Sequence, residues 1–443
     1  METYVIPMSE STDSDKYIIF RPLTGLAFVG NRAMAELSTV LSKGAPVLPE
    51  QEVGEFLEAI DFYKPDPPTL SFSDTVFHPT TAVLLMTNRC QLRCIYCYAS
   101  SGEFSPKDLS SALGYTAIDY ACQNAQEMGR SEFEVSFHGG GEPTLAWKTI
   151  QECTAYAREK PIKAKISLTS NGIWSSAQLD WITSNLDGLT LSIDGGSSTQ
   201  GRQRPLSSGG NSSALVMSTA KELDGRNFNY GIRMTATEPW SNLPEDVRFL
   251  VEETRCPTIQ VEPAFNPRRG GHGQPDEMEA LAFAEAFLEA IEVANQSNRI
   301  LFYSGARLGM SPGTFCTAPY GALIVNAEGE LVSCYEVTNA THPMAKLSAI
   351  GRIAGEEVIV DQAARSYLLN LIAERREACR DCFIYWSCAG GCYSRMFGTG
   401  PEGHQIREGR CYLNRYITQQ LLLKGIADGN GVLYSPPRSG CNC

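Results

Sequence analysis

Three cysteines stand within eight residues in the run Cys90-Gln-Leu-Arg-Cys94-Ile-Tyr-Cys97, a C-x3-C-x2-C spacing. Thiolates are the usual ligands of iron–sulfur clusters. Three of them on a four-iron cubane leave one iron open, and an open iron binds a substrate or cofactor. Structural zinc is the other chemistry of such a run, but it takes four ligands and no fourth lies nearby. A second set begins at Cys316 and continues through Cys334, Cys379, Cys382, Cys388, Cys392 and Cys411. Its C-x2-C pair suits zinc as well as iron. Cys122, Cys153 and Cys256 stand alone and read as small buried apolar side chains. Cys441 and Cys443 read as part of a mobile tail, with a ligand or redox pair as the alternative.

The elements around the first set read as an alternation. Six apolar runs, AVLLMT, FEVSFH, KISLTS, LTLSID, YGIRMTAT and IQVEP, are separated by amphipathic stretches such as SALGYTAIDYACQNAQEMG and SAQLDWITSNL. Strands alternating with helices imply parallel strands joined by crossovers, here an incomplete barrel. In such barrels chemistry sits at the C-terminal ends of the strands. Each run ends in a polar or Gly-rich cluster: TNRC, HGGGEP, TSNG, SIDGG, RMTAT and VEP. Upstream, KYIIFRPLTGLAFVG reads as two strands about a Thr-Gly turn, followed by two helices and a Pro- and Ser-rich linker. Downstream, DEMEALAFAEAFLEAIEVANQ is a packing helix. The expected division is 1–78, 79–308, 309–425 and a mobile tail, 426–443.

With 443 residues and 43% apolar content the chain can bury more than one core. Its net charge of −13 argues against a nucleic-acid partner. The basic pairs Arg268–Arg269 and Arg375–Arg376 read as solvated surface. No apolar run is long enough for a membrane span and no signal peptide is evident, so a cytoplasmic protein is expected.

The first triad resembles the signature of the radical S-adenosylmethionine (SAM) superfamily. There, the open iron chelates the methionyl group of SAM, and one electron splits the cofactor into a 5′-deoxyadenosyl radical that abstracts hydrogen from a substrate. The resemblance implies an α/β fold: a partial (β/α)6 barrel, with a small N-terminal α+β cap and a C-terminal Cys-rich extension. It makes Cys90, Cys94 and Cys97 the ligands of a catalytic 4Fe-4S cluster. Gly140-Gly141-Glu142-Pro143 resembles the GGEP motif that contacts the methionyl amine. Ser170-Asn171-Gly172 resembles the family's TNG element, and Ser192-Ile193-Asp194-Gly195 its SIDG element, whose Ser and Asp reach the cofactor's polar groups. Arg204 falls where the family places an Arg near the cofactor carboxylate. Arg233 matches a polar strand-end position, and Tyr96 the aromatic slot beside the adenine. Gln200 departs from a His usual in the family.

The second set resembles the seven-Cys SPASM extension of enzymes that modify ribosomally made peptides. By that pattern Cys379, Cys382, Cys388 and Cys411 hold an outer auxiliary 4Fe-4S cluster, and Cys316, Cys334 and Cys392 an inner one with its fourth ligand unassigned. The implied substrate is a precursor peptide with a leader; residues 15–60, a hairpin followed by helices, resemble in part the leader-recognition element that captures a leader as an added strand, with a plain N-terminal cap on the barrel as the alternative. The implied electron donor is external, such as flavodoxin or ferredoxin. Cross-linking of the peptide, through a thioether or a C–C bond, is the favoured reaction. Sulfatase maturation is disfavoured because those maturases place an Asp where this chain has Tyr335. A Tyr can pass a proton, but a reference pKa of about 10 makes it a poor base. Peptide epimerisation and a non-catalytic electron-transfer protein with three clusters are the other readings.

Overall fold

The computed structural model describes residues 1–8, 15–69, 76–271, 273–310, 313–397 and 408–435. The N-terminal segment forms an antiparallel sheet of β1 (Tyr4–Pro7), β2 (Lys16–Arg21) and β3 (Leu26–Asn31). Asn31 starts the helix Arg32–Ser42 by accepting the Met34 N–H on its side chain. Strand alternation divides the apolar residues between two faces. Ile19, Leu26 and Phe28 pack on Leu57 and Phe62. Ile6, Ile18, Phe20 and Ala27 pack on Leu422 and Ile426 of the helix Glu408–Asp428.

The main sheet carries the six expected strands: β4 (Thr81–Leu85), β5 (Glu132–His138), β6 (Lys163–Ser170), β7 (Gly188–Ser192), β8 (Tyr230–Ala236) and β9 (Thr258–Pro263). Each pairs in parallel with the next. Phe133, Val135, Phe137, Ile166, Leu168, Leu191 and Ile232 face the covering helices. The alternate residues, among them Ser136, His138, Thr169, Ser192, Arg233 and Gln260, face the other side.

The sheet continues beyond the six. β10 (Ile300–Phe302) adds in parallel to β9, and β11 (Ala322–Val325) in parallel to β4. From β11 the order runs antiparallel through β12 (Glu330–Val332), β13 (Ala349–Ala354) and β14 (Glu357–Val360). One sheet therefore joins the barrel to the second cysteine region. The helix Glu277–Gln296, opened by an Asp276–Glu279 capping box, packs as expected against the core.

The expected mobile tail needs correction. The helix Glu408–Asp428 runs past residue 426, and β15 (Val432–Tyr434) pairs antiparallel with β3. Val432 and Leu433 find apolar partners on opposite faces of the N-terminal sheet. Cys441 and Cys443 lie outside the described residues. Among the described residues no helix is long and apolar enough to cross a membrane.

Candidate active site

After β4 the chain leaves the sheet in a loop fixed at its root. Thr87 Oγ1 donates to Asp108 at 2.6 Å, and Arg89 grips both oxygens of Asp108 at 2.9 and 2.6 Å. A planar guanidinium fits a carboxylate in this two-pronged way. Arg93 folds back onto the carbonyls of Cys90 and Leu92, each at 2.8 Å. Arg269 donates to the carbonyls of Cys94 and Ser101, each at 2.8 Å, and Gly270 N–H to the Cys97 carbonyl at 2.8 Å. Arg269 is thus a clasp and not solvated surface. The cysteine loop presents carbonyls outside any regular element, and a long guanidinium reaches two of them.

The three sulfurs of this loop are neighbours: Cys94 and Cys97 both act on Cys90, and Cys97 acts on Cys94. Cys90 Sγ receives the Leu92 N–H at 3.4 Å and faces the Asn171 amide at 4.0 Å. Cys97 Sγ lies 3.6 Å from Ser101 Oγ. Burial pushes the Cys90 and Cys94 thiols up to about 12 and about 11. Thiolates here need cations beside them, and cluster irons would supply them. Grouped soft donors with N–H groups turned toward sulfur fit a cluster.

β5 delivers Gly139-Gly140-Gly141-Glu142 against the same loop. Gly141 N–H donates to the Thr87 carbonyl at 2.7 Å and Glu142 N–H to the Arg89 carbonyl at 2.8 Å. A Cβ on Gly141 would collide with the Arg89 carbonyl, and one on Gly140 would come 2.9 Å from Thr338, just beyond Cys334. Gly141 is therefore needed for the approach of the cysteine loop itself. Gly141→Ala is expected to cost roughly 1–3 kcal/mol, as overpacking does, and to lower cluster iron. Denaturant titration and iron analysis check this; unchanged values in both would contradict it.

Glu142 is buried, and its carboxylate is filled by the chain. It accepts from Ser170 Oγ at 2.6 Å, Thr144 Oγ1 at 2.7 Å and Asn171 N–H at 2.8 Å. Burial raises its pKa and these bonds oppose the rise. Glu142, Ser170 and Asn171, three of the expected site residues, are thus brought together beside Cys90.

Tyr96, Asp194 and Arg204 form a second assembly. The Tyr96 hydroxyl donates to Asp194, and Arg204 Nη1 donates to that hydroxyl at 2.8 Å and lies 3.7 Å from Asp194. Asp194, fully buried, also accepts from Gln203 at 2.8 Å and from the Thr235 N–H at 3.0 Å. The polar atoms expected to face a cofactor are largely spent on one another, where they fix the Cys94–Cys97 turn. Gln200, in the place of the family's His, accepts the Asp194 N–H at 2.8 Å. Ser192 and Arg233 are register partners on neighbouring strands, and Arg233 reaches Gln260 at 3.4 Å.

The two cysteine regions meet near Tyr98 and His138. Tyr98 lies among Cys97, Glu336, Arg233 and Cys334, and burial drives its pKa up. The His138 ring sits 5.1 Å from that of Tyr335. Burial, then Arg233, push its pKa down to about 4 from 6.5. A depressed His favours the folded state fully above the unfolded pKa and loses that contribution as pH falls toward 4. His138→Gln is expected to flatten the decline in urea midpoint between pH 6.5 and 4; an unchanged slope would contradict this. The sequence reading passed over His138, Tyr98, Gln203 and Glu336. The only signal for the first two was adjacency to a motif.

Cys392 and Cys316 both act on Cys334. Two clasps hold their loops together. Tyr393 OH bridges Ser333 Oγ at 3.0 Å and Ser348 Oγ at 2.9 Å. Glu336 accepts from Ser394 at 2.9 Å with Arg395 at 3.8 Å. Cys411 acts on Cys379, Cys382 and Cys388, and Cys379 acts on Cys382 and Cys388, which places these four sulfurs near one another. Cys122, Cys153 and Cys256 are buried, as expected of apolar packing.

Residues 84–250 match the radical SAM superfamily. Native anSMEcpe with bound AdoMet aligns at a TM-score of 0.62 and 16% identity, over 79% of this chain and 99% of that one. Streptococcus suis SuiB bound to precursor peptide SuiA aligns at 0.53 and 15%, over 93% and 100%. Fe-coproporphyrin III synthase of Methanosarcina barkeri is 37% identical over 83 residues, 18% of this chain and 19% of its own length. The uncharacterised protein MJ0907 of Methanocaldococcus jannaschii is 35% identical over 77 residues, 17% and 24%. The chain thus matches a quarter or less of the length of these curated relatives. Residues 84–250 are thus similar to the radical SAM superfamily, and the chain shares its fold with anSMEcpe and SuiB.

Proposed function

We propose that the protein is a peptide maturase that abstracts hydrogen from a ribosomally made precursor peptide and closes a thioether or C–C cross-link within it. The observation that carries this reading is the grouping of the cysteines. Ten of them fall into the sets Cys90/Cys94/Cys97, Cys316/Cys334/Cys392 and Cys379/Cys382/Cys388/Cys411, whose members lie near enough to influence one another, although among the described residues no three stand in metal-holding geometry. Two sets beyond the catalytic one match a catalytic cluster with an inner and an outer auxiliary cluster. When bound, SAM and the catalytic cluster supply the 5′-deoxyadenosyl radical.

The chain's own residues divide the remaining work. Arg89, Arg93 and Arg269 hold the cysteine loop in place. Glu142 ties the ends of β5 and β6 beside Cys90, leaving Asn171 facing the sulfur. Arg233, His138, Tyr98, Tyr335 and Glu336 stand between the catalytic and inner sets, where this reading puts the peptide side chain. SuiB is solved with its precursor peptide and anSMEcpe with a Kp18Cys peptide, which supports a peptide in the corresponding space here. The N-terminal sheet supports leader capture by strand addition. β3 is already paired with β15, so the leader would add beside one of the sheet's edge strands, β1 or β15.

Short peptides encoded beside the gene, incubated with the reconstituted enzyme, SAM and a low-potential reductant, test the reaction. The reading expects a product lighter by two hydrogens that does not react with an aldehyde-specific hydrazide. A hydrazide-reactive product would point to formylglycine. Unchanged mass with solvent deuterium taken up would point to epimerisation. SAM consumed with no peptide altered would leave the cross-linking reading without support.

A further inference from the structure

The helix Gln362–Glu377 carries Arg375 into the protein beside the outer cysteine set. Its neighbour Arg376 packs over the rings of Tyr385 and Trp386. Arg375 is only 6% exposed, so the expectation of a solvated basic pair fails here. Its Nη2 lies 3.8 Å from Cys411 Sγ and 3.9 Å from Met396 Sδ. Its Nε, also buried, meets no acceptor. Arg375 also lies near Cys379. Among the described residues no carboxylate pairs with it.

A guanidinium keeps its proton in any protein environment. Buried without a counter-charge, it costs several kcal/mol. Neutral thiols would not offset that cost. Four thiolates around an iron–sulfur cluster would, because such a centre carries excess negative charge. Hydrogen bonds to cluster sulfurs and nearby cations favour the more negative, reduced state and so raise the reduction potential.

We infer that Arg375 is a positioning residue of the outer cluster, whose buried positive charge and N–H contact with Cys411 hold that cluster's reduction potential up. The inference rests on the outer four cysteines holding a cluster. Arg415, which also acts on Cys379 and Cys382, is exposed and screened by solvent, so it serves as the comparison.

The test is an EPR-monitored redox titration of the full chain, reconstituted without oxygen. The outer cluster's signal is identified as the one lost in Cys382→Ala. Arg375→Met is expected to move that midpoint to more negative potential, Arg375→Lys to move it less, and Arg415→Met to leave it in place. A midpoint unmoved in Arg375→Met, with iron content unchanged, would overturn the inference. So would an equal shift in Arg415→Met. Should the methionine variant lose the outer cluster, Gln and Lys at 375 decide. A more negative midpoint for Gln supports the role of charge, and coincident midpoints overturn it. Roughly twelve irons per wild-type chain identify a failure as that of Arg375 alone, whereas roughly four would sink the auxiliary-cluster reading and this inference together.

Discussion

Cys97→Ala protein, reconstituted without oxygen and given SAM and reductant, is expected to form 5′-deoxyadenosine no faster than a control without enzyme. The loss should be at least about a thousandfold, because removing one of three ligands removes the cofactor on which the whole rate depends. The barrel itself should survive. Cys97 sits in a loop outside the sheet, whose core is built from the residues of β4 to β9 and their helices. Iron should fall by about a third, from roughly twelve to roughly eight per chain, if each set holds a cubane. Turnover above about a tenth of wild type would remove Cys97 from the catalytic set.

The second large effect is on stability. Arg204→Met removes the guanidinium that lies between the Tyr96 hydroxyl and the fully buried Asp194. Deleting one partner of a buried ion pair costs about 3–5 kcal/mol, most of it the charge left behind. Asp194 keeps the Tyr96 hydroxyl, Gln203 and the Thr235 N–H, so the lower end, about 3 kcal/mol, is expected. Because Tyr96 lies between Cys94 and Cys97, the same variant should also lose iron from the catalytic set. Asp194→Asn combined with Arg204→Met should recover more than about 1 kcal/mol of the sum, the coupling expected of groups in contact. Urea denaturation of the four proteins measures this. Single-variant losses under about 1 kcal/mol, or strictly additive ones, would make the pair incidental.

The Cys90–Cys94–Cys97 and Cys379–Cys382 runs were legible as grouped soft donors because their spacings are short enough for a sequence to display directly, whereas no short spacing joins Cys316, Cys334 or Cys411 to the rest. The six strands were legible for a similar reason: each buries one face under helices and reads as an apolar run of five to eight residues. The sheet's continuation was not. β10, β11 and β12 are three or four residues long, too short for alternation to stand out, and they join the sheet only by pairing with strands already in place. β15 was hidden by its setting among Gly, Asn and Pro, which read as a tail. The Tyr96–Asp194–Arg204 assembly joins residues about a hundred positions apart, and spacing carries no trace of such a contact. Arg269 and Arg375 were misread for one reason. A basic pair in sequence does not reveal whether a carbonyl or a sulfur waits within reach of one of its members.

Formation of 5′-deoxyadenosine tests the central claim most directly. The wild-type protein, loaded with iron and sulfide without oxygen and given SAM and dithionite, should yield 5′-deoxyadenosine and methionine in equal amounts by liquid chromatography and mass spectrometry, with none from Cys97→Ala. A fully loaded protein that leaves SAM intact, or that yields the same amount with Cys97 replaced, would contradict the account.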